Sequence, residues 1–165
     1  MAEIVAKKEI VDILKRSDVF LGLSDENLAE IASLPSCGLE NYGAGEIIFQ
    51  EREKAETLYV LVEGRINLTI RLTLDKRVRE EVVDVVSKGG AFGWSALVPP
   101  YLCTLNAISA LASKVLRIKG EEIRQLLDRE PYMGYEVMKG LIRVTASRLR
   151  DTQQLLASGK RKVTV

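Results

Sequence analysis

The chain has 165 residues, 47% hydrophobic and 28% charged, with a net charge of +1. That is one domain's worth of an ordinary soluble composition, and it excludes a disordered chain, a collagen-like repeat and a nucleic-acid polycation. Histidine is absent, which removes the usual general base, the commonest metal ligand and every Ser-His or Cys-His catalytic arrangement. Two cysteines, Cys37 and Cys103, cannot assemble a zinc site alone. The N-terminus, Met1 to Glu9, is charged throughout and lacks the apolar core of a signal peptide, so no disulfide is expected. The expectation is a cytoplasmic protein that is not an enzyme and needs neither metal nor cofactor.

From Glu3 to Arg16, Ile4, Ile10, Val11, Ile13 and Leu14 fall near helical spacing among charged residues, which predicts an amphipathic helix. Ser24, followed by Asp25-Glu26-Asn27 and then Leu28, Ile31 and Leu34, predicts a capped short helix ended by Pro35. From Cys37 to Ile118 the period changes. Glu46–Phe49, Thr57–Val62, Arg65–Ile70, Val82–Val86 and Ser113–Ile118 are short runs rich in β-branched residues. Arg65 to Leu74 alternates polar and apolar, as a strand wet on one face should. Glu63-Gly64 and Asp75-Lys76-Arg77 mark tight turns. The carboxylates Glu51, Glu53, Glu80 and Glu81 fall in expected turns, where solvation explains them.

Gly89 to Ser113 is 25 residues without a charge. Pro99-Pro100 in its middle breaks any continuous helix, so the segment is expected inside the protein rather than across a membrane. Helical character returns at Gly120, with Ile123, Leu126 and Leu127 on one face. From Pro131, suited to a first helical turn, a long helix runs to about Ala157. Tyr135, Met138, Ile142, Thr145, Leu149, Thr152 and Leu156 step by three and four along it, a coiled-coil seam. A second stripe, Val137, Leu141 and Val144, lies beside the first half. One face is expected to cover the β-domain and the other to meet a second copy. The basic tail Lys160-Arg161-Lys162 is read as a solvated, frayed end.

This order of elements resembles the cyclic-nucleotide-binding domain of the catabolite activator protein family. The residues that carry the resemblance are Val19-Phe20-Leu21-Gly22-Leu23-Ser24, Tyr42-Gly43-Ala44-Gly45-Glu46-Ile47-Ile48-Phe49, Leu58-Tyr59-Val60-Leu61-Val62-Glu63-Gly64, Lys88-Gly89-Gly90-Ala91-Phe92-Gly93, and Leu126 to Leu149. Arg52 stands where the family usually has glycine. The resemblance implies a mainly β fold, a double-stranded β-helix or jelly roll with flanking helices. In a single domain, 1–35 would be N-terminal helices, 36–118 the β-roll, 120–157 the C-terminal helices and 158–165 the tail.

In the family the phosphate-binding cassette reads Phe-Gly-Glu-x-Ala-Leu, then some five residues, then Arg. Its short helix turns backbone N–H groups toward a cyclic phosphate, Arg adds a charged contact, and Glu accepts from the ribose 2′-hydroxyl. Here Phe92, Gly93, Ala96 and Leu97 match, but Trp94 stands at the Glu position and Cys103 at or beside the Arg position. No Arg or Lys occurs between Lys88 and Lys114. Losing the charged partner costs about 2–5 kcal/mol, roughly 30- to 4,000-fold in affinity, and losing the ribose acceptor about 1–3 kcal/mol more.

The expected function is therefore a non-catalytic regulatory or sensor module that does not bind cAMP or cGMP in the usual way. Its candidate pocket comprises Phe92, Gly93, Trp94, Ser95, Ala96, Tyr101, Cys103, Thr104 and Asn106, and suits a small uncharged effector. The alternatives are a protein-interaction homodimer with Trp94 plugging the pocket, or a cyclic-nucleotide binder with an unusual cassette. The expected partners are a second copy and a small molecule or protein. No helix-turn-helix is expected after Ala157, and neither nucleic-acid nor membrane binding is expected.

Overall fold

The computed structural model describes residues 1–158; the basic tail Lys160-Arg161-Lys162 lies outside them. Helices α1 (Ala2–Lys15) and α2 (Asp25–Ala32) precede the strands. Ser24 caps α2 through a reciprocal capping box with Asn27, which satisfies donors that a helix start otherwise leaves open. The strands are β1 (Gly38–Tyr42), β2 (Ile47–Phe49), β3 (Thr57–Glu63), β4 (Ile66–Leu74), β5 (Arg77–Val86), β6 (Ala91–Phe92), β7 (Asn106–Ser109) and β8 (Ser113–Lys119). A 3-10 turn over Trp94–Leu97 follows β6, and α3 (Gly120–Arg129) and α4 (Pro131–Ser158) close the chain. Three of these strands, β1, β6 and β7, carry no alternating signal of their own. They are short, and only pairing with distant partners makes them strands.

All the pairings are antiparallel and form two four-stranded sheets, ordered β1-β8-β3-β6 and β2-β7-β4-β5. In the first sheet the central strand β3 is buried on both faces, whereas the edge strand β1 has no fully buried residue. Leu58, Val60, Leu116 and Ile118 turn toward the helices and join Leu14, Phe20, Leu28, Ile31, Ile123, Met133 and Val137. The intervening Tyr59, Leu61 and Val115 turn the other way and pack on Ile66, Leu68, Val86 and Ala107 of the second sheet. A strand buried on both faces reads as a near-continuous apolar run, which is why Leu58 to Val62 shows no alternation. Each such side chain contributes about 1.5–3 kcal/mol on burial.

Three expectations are corrected here. Gly89–Ser113 is not wholly interior: Val98 and Leu102 are 41% and 45% exposed. The segment leaves the core at Val98 and runs over the surface to Leu102 before Cys103 re-enters. Its freedom from charge reflects its two buried ends. Nor does the alternation of Arg65–Leu74 mark one dry face throughout. Beyond Ile70 the β4–β5 hairpin projects from the body, and Arg71, Leu72 and Thr73 are all exposed. Its turn residues Asp75 and Lys76 both take positive φ, the conformation of a two-residue hairpin turn that matches strand twist. Glu80 and Glu81 lie in β5 rather than in a turn, and Glu80 accepts a hydrogen bond from the Thr69 hydroxyl at 2.6 Å.

Helix α4 carries both apolar stripes. Met133, Val137 and Leu141 are buried against the body, while Tyr135, Met138, Ile142, Thr145, Leu149, Thr152 and Leu156 are all exposed. Among the described residues no helix is long and apolar enough to cross a membrane.

Candidate functional site

The cassette begins where β6 ends. Gly93 takes φ 71°, and a Cβ there would stand 2.7 Å from the Thr57 carbonyl oxygen, so the turn into Trp94–Leu97 requires glycine. Phe92 is fully buried in an aromatic stack, its ring centroid 5.0 Å from Tyr59 and 6.2 Å from Phe49. It belongs to the core between the sheets.

Gly93, Trp94, Ser95, Cys103 and Thr104 come together around one small cavity, with Phe49, Leu68, Leu105 and Arg148 completing its wall. Its volume is about 30 Å³. A water molecule fits such a space, whereas pockets for small-molecule ligands run to roughly 300–1,000 Å³. Trp94 is half-buried and packs against the helix-side core while lining this cavity.

The other predicted residues lie elsewhere. Ala96 is completely buried among Ala55, Cys103 and Phe49. Asn106 is buried and already occupied: its Oδ1 accepts from the Glu51 N–H at 2.9 Å and its Nδ2 donates to Thr69 Oγ1 at 3.3 Å. It ties the loop after β2 to the second sheet. Tyr101 lies in a separate surface groove with Lys54, Glu56, Lys119 and Glu121. The Arg124 guanidinium sits 4.4 Å over its ring and donates to the Ala96 carbonyl. Cys103 is held by its backbone, bonded to Glu53 and Arg52 at 2.8 and 2.7 Å. Arg52, standing at a family glycine position, takes φ 70°, so the backbone keeps the left-handed form at a cost of about 1–2 kcal/mol.

Sequence reasoning missed Arg148. Its guanidinium reaches the cavity wall from α4, pairs through Nε with Asp84 Oδ2 at 2.9 Å, and donates from Nη2 to the Ala91 carbonyl at 3.0 Å. The local pattern offered one clue, the replacement of the second apolar stripe by Arg148 after Val144. Ala91 is gripped twice, because its N–H donates to Asp18 Oδ1 at 3.0 Å. Burial pushes the Asp18 carboxyl above its ordinary 3.8, and the Ala91 N–H and the Arg148 charge only partly offset that. The raised folded value means that Asp18 favours the fold below pH 3.8, and that this contribution is lost as the pH rises through the folded pKa. Asp18→Asn, which keeps an acceptor for Ala91, is therefore expected to gain stability relative to the native protein between pH 3.5 and pH 7. Urea midpoints at the two pH values read this; a native advantage that grows toward pH 7 would contradict it.

The two thiols are poor nucleophiles. Burial, helped by the neighbouring Glu122 carboxylate, pushes Cys37 up to about 12; burial and then Glu53 raise Cys103. The shift at Cys37 lowers its thiolate fraction near pH 8 by about 1,000-fold. Iodoacetamide at pH 8 should alkylate Cys37 in the folded protein at least about 100-fold more slowly than in urea. Equal rates would place the thiol in water.

Comparison with known proteins gives a consistent result. The family model described as "Cyclic nucleotide-binding domain" matches residues 39–130, more than half of the chain. A CRP-like cAMP-activated global transcriptional regulator of Mycobacterium tuberculosis is 23% identical over 146 residues, covering 88% of this chain and 61% of the relative. The chain thus spans about three-fifths of that relative's length. The N-terminal domain of a transcriptional regulator from Streptomyces coelicolor superposes with TM-score 0.65 at 25% identity, covering 87% of this chain and 94% of that one. The regulatory subunit of a cAMP-independent protein kinase A from Trypanosoma brucei superposes with TM-score 0.73 at 17% identity, covering 94% and 53%. With its two-sheet roll, its cassette turn and its long terminal helix, this chain belongs to the cyclic nucleotide-binding domain family.

Proposed function

We propose that this protein is a non-catalytic regulatory module that does not take cAMP or cGMP in the usual way, because Trp94 occupies the cassette pocket, and that it works as a homodimer paired along α4. The observation that supports this most is the size of the cavity at the cassette, about 30 Å³, roughly a tenth of the least that small-molecule pockets offer. The cassette also lacks a cation of its own. The Arg148 guanidinium at the cavity wall is engaged by Asp84 and by the Ala91 carbonyl. The relative from Mycobacterium tuberculosis is named as cAMP-activated. The Trypanosoma fold-mate is named as cAMP-independent, so the fold is compatible with either outcome.

Calorimetric titration tests the reading. The native protein is expected to show no binding of cAMP or cGMP tighter than about 10 μM, given the affinity loss that the missing contacts impose. Trp94→Ala, which opens the pocket, is expected to acquire thermal-shift binding of a small ligand to which the native protein does not respond. Sub-10-micromolar nucleotide binding by the native protein would overturn the proposal. It would favour the second reading, a cyclic-nucleotide binder with an unusual cassette. The position of Arg148 supports that alternative: a guanidinium delivered from α4 could replace the one missing between Gly89 and Ser113. Arg148→Met would then abolish the nucleotide binding.

Regulation of transcription by direct DNA contact is not part of the proposal. The net charge of +1 gives this segment no electrostatic footprint for a duplex.

A further inference from the structure

A far roomier cavity than the one at the cassette lies elsewhere in the molecule. A cleft of about 680 Å³ opens between α1 and the roll, walled by Lys8, Glu9, Asp12, Ile13 and Arg16 on the helix side. Leu61 and Val62 at the end of β3, with Lys88 and Gly89 in the turn before β6, form the opposite wall. It is more than twenty times the volume of the cassette cavity and lies within the range of pockets that hold small molecules. Its inner surface is apolar, built on Ile13, Leu61 and Val62, and the charged residues stand around its mouth.

The charge at the mouth is unbalanced. Lys8, Arg16 and Lys88 supply three cations, and no carboxylate among the described residues pairs with any of them within ion-pair distance. Of the two acids, Glu9 is drawn away toward Lys114, whose Nζ lies 3.9 Å from its carboxylate. Asp12 remains at the mouth, so the cations there outnumber the acids by three to two. An apolar interior with a net positive mouth complements an organic anion that has an apolar body, and disfavours a neutral or cationic one.

We propose that the cleft between α1 and the roll is a binding site for an amphipathic carboxylate: its acyl or aryl body lies on Ile13, Leu61 and Val62, and its anionic head meets Lys88 and Arg16. The site is separate from the cassette and would stand whether or not the cassette binds a nucleotide. It is nevertheless wired to it. Gly89 N–H donates to the Leu61 carbonyl at 2.8 Å, Leu61 N–H to the Gly90 carbonyl at 3.0 Å and Asp18 N–H to the Gly89 carbonyl at 3.2 Å. Ala91, the next residue, leads directly into Phe92 and Gly93. An occupant pressing on the Lys88–Gly90 turn therefore pushes on the strand that carries the cassette.

Decanoate, with decanol as its uncharged counterpart, tests the proposal on the full chain by calorimetry and thermal shift. Decanoate is expected to bind with a dissociation constant below about 1 mM and to raise the melting temperature. Decanol is expected to bind at least tenfold more weakly, and raising the salt should weaken decanoate alone. The double variant Arg16→Glu with Lys88→Glu alters exposed side chains, so it should keep its circular dichroism and ligand-free melting temperature while losing at least tenfold in decanoate affinity. Trp94→Ala should leave decanoate affinity unchanged, which separates this site from the cassette. Equal affinity for decanol and decanoate, no decanoate binding at 1 mM, or undiminished affinity in the double variant would each overturn it.

Discussion

The native protein is expected to sediment at twice its 18.4 kDa chain mass, and Ile142→Glu combined with Leu149→Glu is expected to sediment as a single chain at tens of micromolar. Ile142 and Leu149 are 68% and 57% exposed on one copy, although both are large apolar residues. They stand in register with Tyr135, Met138, Thr145, Thr152 and Leu156 on an exposed α4 face beside the one that buries Met133, Val137 and Leu141. A helix with one apolar stripe covers a core; a helix with two has a surface left over. A second copy related by a two-fold axis sets the same seam against itself. Each substituted residue would then appear twice in the interface, as a charge facing its own copy. Burying an unpaired charge costs about 3–5 kcal/mol, so the dimer should weaken by at least about 1,000-fold. Because both side chains are exposed, the far-ultraviolet circular dichroism of the variant should match that of the native protein. A native protein that sediments at 18.4 kDa would remove the dimer from the proposal.

Gly140→Ala should destabilise the protein by about 3 kcal/mol, lowering the melting temperature by roughly 6–12 °C. On propensity alone the change should stabilise a helix by about 1 kcal/mol, so the sign is decided by packing. A Cβ at Gly140 would lie 2.2 Å from the Val19 carbonyl oxygen, 2.8 Å from its carbon and 3.0 Å from its Cα. All three are backbone atoms of the segment joining α1 to α2 and cannot swing aside. The helix would have to lift, uncovering Val137 and Leu141, both buried. Gly134→Ala is the internal control: the nearest atom to its Cβ would be the Leu127 carbonyl oxygen at 3.1 Å, and its effect should stay within about 1 kcal/mol because propensity and crowding oppose each other. Equal effects at the two glycines would mean that α4 does not dock as closely as described.

The helices and the longer strands could be recognised locally because each carries its own periodicity. Ser24 and Asn27 are three residues apart and cap α2 without help from the rest of the chain. The two stripes of α4 are visible as two sets of residues at helical spacing, and the structure distributes them between the body and the surface. The strands β1, β6 and β7 could not be read in this way, since short runs become strands only through partners far along the chain. The projection of the β4–β5 hairpin was equally hidden, because alternation continues past Ile70 whether or not a second layer lies beneath it.

At the cassette the same division holds. The replacement of an expected Glu by Trp94, and the want of a cation from Gly89 to Ser113, are facts of residue order alone. How much space the indole leaves, why Asn106 is unavailable to a ligand, and why Tyr101 lies in another groove were settled by folding, because each depends on neighbours drawn from distant segments. Arg148 meets Ala91 across 57 positions, and no local pattern records such a meeting. Residue order dictates which groups the chain possesses and which faces of its helices are apolar; three-dimensional packing dictates which of those groups meet, since side-chain contact depends on distance in space.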